Sequence, residues 1–450
     1  MPRLSPLERL GLHRRELRAW ATYEFAITGL YVIVITAVFP VYYQTVLASA
    51  LPPSIASQRF ALATTLGIAL IALPAPFIGA LTDQRPVKKQ LLGMFVVLGA
   101  GATASLFYVT EQQWLLALVL FTLINVGVNG STVFYDALLP NIARVDEVDR
   151  VSAGAFALGY VGSTILLTAA IAVIEWPWLV GLPEGTLPVR VTFLATAAWW
   201  VIFALPLLAR VPEPLPRVDP DDDPHKPPMR AALDRIRSTA RSLRTYRQAL
   251  LLLIAYFVYG DGIGTIIRLA AVYGAELGFD AIVLLGAVMI VQVVGIPATF
   301  AFAGIAATVG AQRAILGGLV IYTGITVLAY FMTSAWQFLA LAGLIGLVQG
   351  GTQALSRALF ASMVPTYKSG EFFGFYGVID KFAGLVGPLV FAGMIALTGS
   401  SRQAILSIVV FFILGGFLLA RVDVAEGRRV AAEAQARARP VTPIERERPA

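Results

Sequence analysis

The chain has 450 residues, 58% hydrophobic and 14% charged, with no cysteine and a net charge of +7. Water-soluble domains are roughly half apolar and about a quarter charged, so a soluble enzyme is excluded, and without cysteine so are disulfides and thiolate chemistry. Apolar runs of bilayer-spanning length recur throughout, so the positive charge reads as membrane topology rather than nucleic-acid binding.

Residues 1–20 form a basic amphipathic segment without an apolar core or a small-residue cleavage site, so no cleaved signal peptide is expected. Hydropathy predicts spans at Ala21–Leu47, Ser57–Leu81, Gln90–Tyr108, Gln113–Leu138, Ser152–Ile174 and Val191–Leu208. A polar passage, 210–247, follows. Its first part is Pro-rich and acidic at Asp221, Asp222 and Asp223, and its second part carries arginines at helical spacing. Two readings of that second part stay open, a basic helix on the membrane surface and a solvated linker. Further spans are predicted at Gln248–Tyr273, Ile282–Ala306, Gln312–Phe331, Trp336–Phe360, Phe372–Leu397 and Gln403–Arg421. Residues 422–450 read as a disordered tail. Strand-type alternation is absent, which argues against a membrane barrel.

The fold class expected is therefore an all-α integral membrane protein of twelve helices in two six-helix bundles, 21–209 and 248–421. Arginine and lysine cluster at the N-terminus, the even-numbered connections, the linker and the tail. The positive-inside rule then places both termini in the cytoplasm of a cell-membrane protein. The halves also look like repeats, because Pro74–Asp83 matches Pro297–Thr308, and Asn129–Thr132 matches Gln349–Thr352. Parallel repeats joined by a cytoplasmic linker are one plan of secondary transporters.

The loop holding Gly79, Asp83, Arg85, Lys88 and Lys89 resembles the signature between the second and third helices of the major facilitator superfamily, stretched by one residue before the basic pair. A closer resemblance runs through Tyr23-Glu24-Phe25-Ala26, Phe134-Tyr135-Asp136-Ala137-Leu138-Leu139-Pro140, Asp261-Gly262, Gly351 to Arg357, and Glu371 to Gly374 with Lys381-Phe382. These stretches are similar to the vacuole-effluxer family of that superfamily, the autophagy-related amino-acid exporter-like branch. The chain departs from it at Glu24, where the family usually has Asp, and at Ile27-Thr28, where a small polar pair is usual. The resemblance implies a carrier rather than an enzyme, with an amino acid as the first expectation for cargo. It also implies that the Gly79–Lys89 loop gates the cytoplasmic mouth.

Charges inside a bilayer each cost about 2.5–3.5 kcal/mol by insertion scales, so they mark function or pairing. Asp261 and Arg268 in the seventh span, with Asp380 and Lys381 in the eleventh, are the candidates for a substrate or proton-coupling network. The alternative is a fixed set of ion pairs between those helices. Asn125, Asn129, Gln292, Gln349 and Gln353 are weaker candidates for lining a cavity, against plain interhelical amide bonding. Glu24, Asp136 and Arg357 fit gate or cap pairing better than substrate contact. Gly260, Gly262 and Gly264 suggest local unwinding of the seventh helix, and Gly384, Gly387 and Pro388 of the eleventh; close packing is the other reading. Trp20, Trp176, Trp178, Trp199 and Trp200 suit an interface belt.

No phosphate loop, metal motif or nucleophile elbow is present, so no cofactor, metal or ATP hydrolysis is expected. The partners expected are the lipid bilayer, a small-molecule substrate and a coupling proton, with no nucleic acid. Two rivals remain: the same carrier moving a sugar, drug or lipid, and a non-transporting receptor or scaffold acting through its linker and tail.

Overall fold

The computed structural model describes residues 12–74, 86–144, 148–213, 244–365, 372, 376, 379 and 383–437. Apolar segments become helices here because a backbone in lipid must satisfy its own hydrogen bonds. In the first half these are α1 (Arg15–Leu47), α2 (Pro53–Ala72), α3 (Lys88–Ser105), α4 (Trp114–Ile142), α5 (Val148–Glu175) and α6 (Leu187–Arg210). In the second half they are α7 (Arg247–Glu276), α8 (Ala281–Val309), α9 (Ala311–Phe331), α10 (Ala335–Ala361), α11 (Val386–Thr398) and α12 (Ser401–Ala420). Among the described residues eleven are long and apolar enough to cross a membrane, and α11 is a shorter apolar helix.

Helix packing repeats between the halves. In the first, α1 packs on α6, α2 on α4, and α3 on both α4 and α6. Six helices later the same scheme recurs, with α7 on α12, α8 on α10, and α9 on both α10 and α12. The two bundles are thus pseudo-symmetric, as the repeats suggest. Between them, α2 meets α11 and α5 meets α8, which are also equivalent pairs, and the first junction is the more extensive.

The interior of α1 is irregular. Regular helix ends at Leu30, and a π-helical turn runs from Tyr31 to Thr36, before Ala37 at φ −119°, ψ −80°. Pro40 accounts for the widening: it has no amide to give, and its ring would strike the Thr36 carbonyl in a regular helix. The amide of Ala37 bonds the Val32 carbonyl at 2.8 Å instead.

Several expectations change. The first helix begins at Arg15, inside the segment expected to precede it. α7 is continuous, so Gly260, Gly262 and Gly264 pack rather than unwind; Gly262 meets Phe411 and Phe412, and Gly264 meets Gly384. Trp178 is 70% exposed and suits a belt, whereas Trp20 and Trp200 are buried. Trp20 stacks on Tyr135 at 4.3 Å and donates to its carbonyl, so it serves the bundle interior. Part of the tail forms a helix, α13 (Val424–Arg437), held by Glu426–Arg429–Glu433 ion pairs and seated by Gly427 on Met363. The basic part of the linker, apart from its last residues, lies outside the described residues.

Candidate functional site

Asp261 sits at the midpoint of α7, about 21 Å from either end at 1.5 Å per residue. It is fully buried. Its Oδ1 accepts the amide of Gly384 at 2.5 Å, and its Oδ2 accepts the amide of Gly387 at 2.8 Å. Gly384 adopts φ +105° in the turn just before α11, a conformation open to glycine and strained for other residues. The carboxylate of one helix therefore caps the interrupted start of another, meeting both the orphan amides and the positive end of the helix dipole. Gly387 permits the crossing, because a Cβ there would fall 1.8 Å from Thr265 Oγ1.

Arg268 lies two turns along the same helix and is buried. Its side chain leans back toward the helix N-terminus, as long helical side chains do, bringing its guanidinium toward mid-span. The guanidinium lies over Tyr31, 5.5 Å from Cζ to the ring centroid, at the start of the π-helical turn and at the midpoint of α1. It also lies against the bare Cα of Gly384. So α1 of one half and α7 with the α11 break of the other converge on one buried cluster. Asp380 and Lys381, proposed from sequence to share this network, lie outside the described residues.

The weaker candidates separate. Gln292 of α8 donates to Ser163 of α5 at 2.8 Å and so ties the halves together. Asn125 is buried, and its Nδ2 donates to the Phe121 carbonyl of its own helix while its Cβ abuts Gly67 of α2. Asn129 donates to Asn125 O at 2.8 Å. Gln349 is half-buried and Gln353 exposed.

Near the terminus-bearing face, Glu24 accepts from Thr28 at 3.2 Å and faces Gly159 of α5. Asp136 of α4 and Arg357 of α10 are within its electrostatic reach. Arg357 also lies over Phe156 of α5, 5.5 Å from the ring centre. Three gate candidates from both halves are thus brought together. Gly79, Asp83 and Arg85 lie outside the described residues. The amides of Lys88 and Lys89 donate to Glu213 at 2.7 and 3.0 Å, so an acid beyond α6 caps α3.

On the opposite face, Ser57 of α2 donates to Glu276 at the end of α7, and Gln58 of α2 donates to the Ala392 carbonyl of α11 at 3.3 Å. Both bonds cross between halves and close that face. Neither was anticipated, although an acid at the end of an apolar span is the kind of signal that could have found Glu276.

The vacuole effluxer Atg22-like family matches this chain over residues 52–432. The chain belongs to that family. An uncharacterized MFS-type transporter of Bacillus subtilis (strain 168), YxiO, is 36% identical over 416 residues, covering 91% of this chain and 95% of the relative. Autophagy-related protein 22 of Yarrowia lipolytica (strain CLIB 122 / E 150) is 24% identical over 436 residues, covering 78% of this chain and 72% of the relative. The nucleoside transporter NupG superposes with a TM-score of 0.63 at 13% identity, covering 92% of this chain and 99% of that one. A bacterial homologue of the human lysosomal transporter Spinster, inward-facing and unoccupied, gives 0.58 at 16% identity, covering 96% and 99%. At such identity these two solved structures speak for the fold alone. This Atg22-like chain is a multi-pass membrane protein of the major facilitator fold, in a family of transporters rather than enzymes.

Proposed function

We propose that this Atg22-like protein is a secondary active transporter that moves a small solute by alternating access, driven by protons, with an amino acid as the first cargo to test. The observation that carries this reading is the buried mid-span cluster of Asp261, Arg268 and Tyr31, placed where the two halves meet. Binding sites at the midplane between repeats, built on interrupted helices, are a transporter design. Both termini face the cytoplasm of the cell membrane in this reading.

Asp261 supplies the coupling step. A carboxylate that accepts two backbone amides does so best when ionised, so taking up a proton weakens its grip on the start of α11. Proton binding at one helix is thereby linked to the freedom of another. The Glu24, Asp136 and Arg357 group gates the cytoplasmic side, and Ser57 with Glu276 gates the far side.

Counterflow in proteoliposomes tests this, with an amino-acid panel and uridine, with and without a pH gradient. At least one solute is expected to exchange, with uptake stimulated by the gradient. Asp261→Asn is expected to retain exchange and lose the stimulation. Unaltered pH dependence in that variant removes Asp261 from coupling, and no flux of any solute removes the transporter reading.

A further inference from the structure

Arg268 poses a physical problem that the fold leaves unsolved. Only 8% of its surface is exposed, yet its Nε and Nη1 have no hydrogen-bond partner among the described residues. A guanidinium carries five donors and does not give up its proton, so it cannot escape burial by neutralising. Such a group is tolerated when something completes its hydrogen bonds during function.

The neighbours show what is missing. Tyr31 gives the face of its ring, which meets the cation from one side. Gly384 gives a bare Cα; a Cβ built there would stand 3.5 Å from Nε and 3.7 Å from Nη2. Asp261 is within electrostatic reach and accepts the Gly384 and Gly387 amides, but it accepts no hydrogen bond from Nε or Nη1 of Arg268. A ring, a glycine and an acid that also holds two amides thus stand around the guanidinium. Three departures from regular helix packing meet at this point: the π-helical turn at Tyr31, the buried charge on α7 and the left-handed glycine before α11. They also come from both halves of the molecule, so their spacing changes when the halves rock.

From this geometry we infer that Arg268, between Tyr31 and Gly384, is the subsite for an anionic oxygen group of the transported solute, a carboxylate or a phosphate. The inference rests on the transporter reading and narrows its cargo. A guanidinium matches such groups in charge and in fork geometry. An incoming anion supplies the acceptors that Nε and Nη1 lack among the described residues, and its binding draws α1 of one half toward α7 and α11 of the other.

The test uses the full-length protein, purified in detergent for thermal unfolding and reconstituted for counterflow. The probes are L-leucine, L-glutamate and L-lactate, the matched amides L-leucinamide and lactamide, inorganic phosphate, and uridine as a neutral solute. At least one carboxylate, or phosphate, is expected to raise the melting temperature by about 2 °C or more at saturating concentration, while the matched amide does not. A carboxylate-only response and a phosphate-only response distinguish the two sources. Arg268→Gln is expected to weaken that response by about tenfold or more, and Arg268→Lys to keep part of it.

The ligand-free melting temperature gives a second readout that a structural arginine would move the other way. Arg268→Gln removes a buried guanidinium whose Nε and Nη1 have no acceptor among the described residues, so it is expected to melt at or above the wild type. The assignment is overturned if acid and amide shift the protein equally, if the shift survives Arg268→Gln, or if that variant melts well below wild type or fails to fold. Flux of uridine alone, unaffected by Arg268→Gln, also overturns it while leaving the transporter reading intact. Flux of none of the probes removes the transporter reading itself.

Discussion

Asp261→Ala is expected to destabilise the protein by about 2–6 kcal/mol, because it strips the acceptor from two buried amides at about 1–3 kcal/mol each. Those amides, of Gly384 and Gly387, stand where the turn hands over to α11. Arg268 would also lose the carboxylate that offsets its charge at a distance. Asp261→Asn keeps one acceptor and aims a donor at the other amide, so it should fall between the alanine variant and wild type. Unfolding in mixed micelles measures this order directly. An alanine variant as stable as wild type would mean that the cap contributes nothing. The order also separates two roles of one side chain, since stability reads the cap and gradient stimulation of transport reads the proton.

The second large effect belongs to Gly387→Ala. The new methyl would stand 1.8 Å from Thr265 Oγ1 and 3.2 Å from the Asp261 carbonyl, so α7 and α11 must separate. Thr265 has little room to turn away, because its hydroxyl bonds the Asp261 carbonyl at 2.7 Å. Overpacking of a close crossing costs about 1–3 kcal/mol, and here the separation also stretches the bonds to Asp261. Thr265→Ala added to Gly387→Ala removes the first clash, so the double variant is expected to recover much of the loss. Residues in contact show this kind of non-additivity, at about 0.5–3 kcal/mol. Additive losses would place the clash elsewhere.

Most of the architecture was legible from hydropathy, because a bilayer forces long apolar helices and little else. The long apolar helices follow from that constraint, and the repeat of helix contacts six helices apart agrees with the weak sequence matches. Residues whose identity is anomalous for lipid were legible too: Asp261 and Arg268 stand out because charge is costly there. What they touch was not. The cap on α11 depends on a glycine at φ +105° and on a close crossing, neither of which has a periodic signal. Gly260, Gly262 and Gly264 invited a break in α7, yet the break belongs to α11, because glycines along a regular helix serve packing as readily as bending. The π-helical turn of α1 follows from Pro40 acting four residues upstream, within a run of Tyr, Val, Ile and Thr that gives no other sign of it. Trp20 and Trp200 show the same limit, since composition cannot tell an interface tryptophan from one filling a bundle.

In the cycle proposed above, rocking starts from the closed face opposite the termini. Ser57–Glu276 and Gln58–Ala392 fasten it, and among the described residues α2 against α11 is the most extensive contact between the halves. The central claim is that two rigid bundles exchange closure between faces. The cysteine-free sequence allows spin labels to be placed at will, with one pair at Ser54 and Leu397 on the closed face and another at Asn141 and Ala361 on the terminus-bearing face. Distances from pulsed electron resonance should be compared between this background and the same background with Glu276→Ala. Lengthening of the Ser54–Leu397 distance with shortening of the Asn141–Ala361 distance is the predicted result. If both distances stay fixed, or both change in the same direction, alternating access is contradicted.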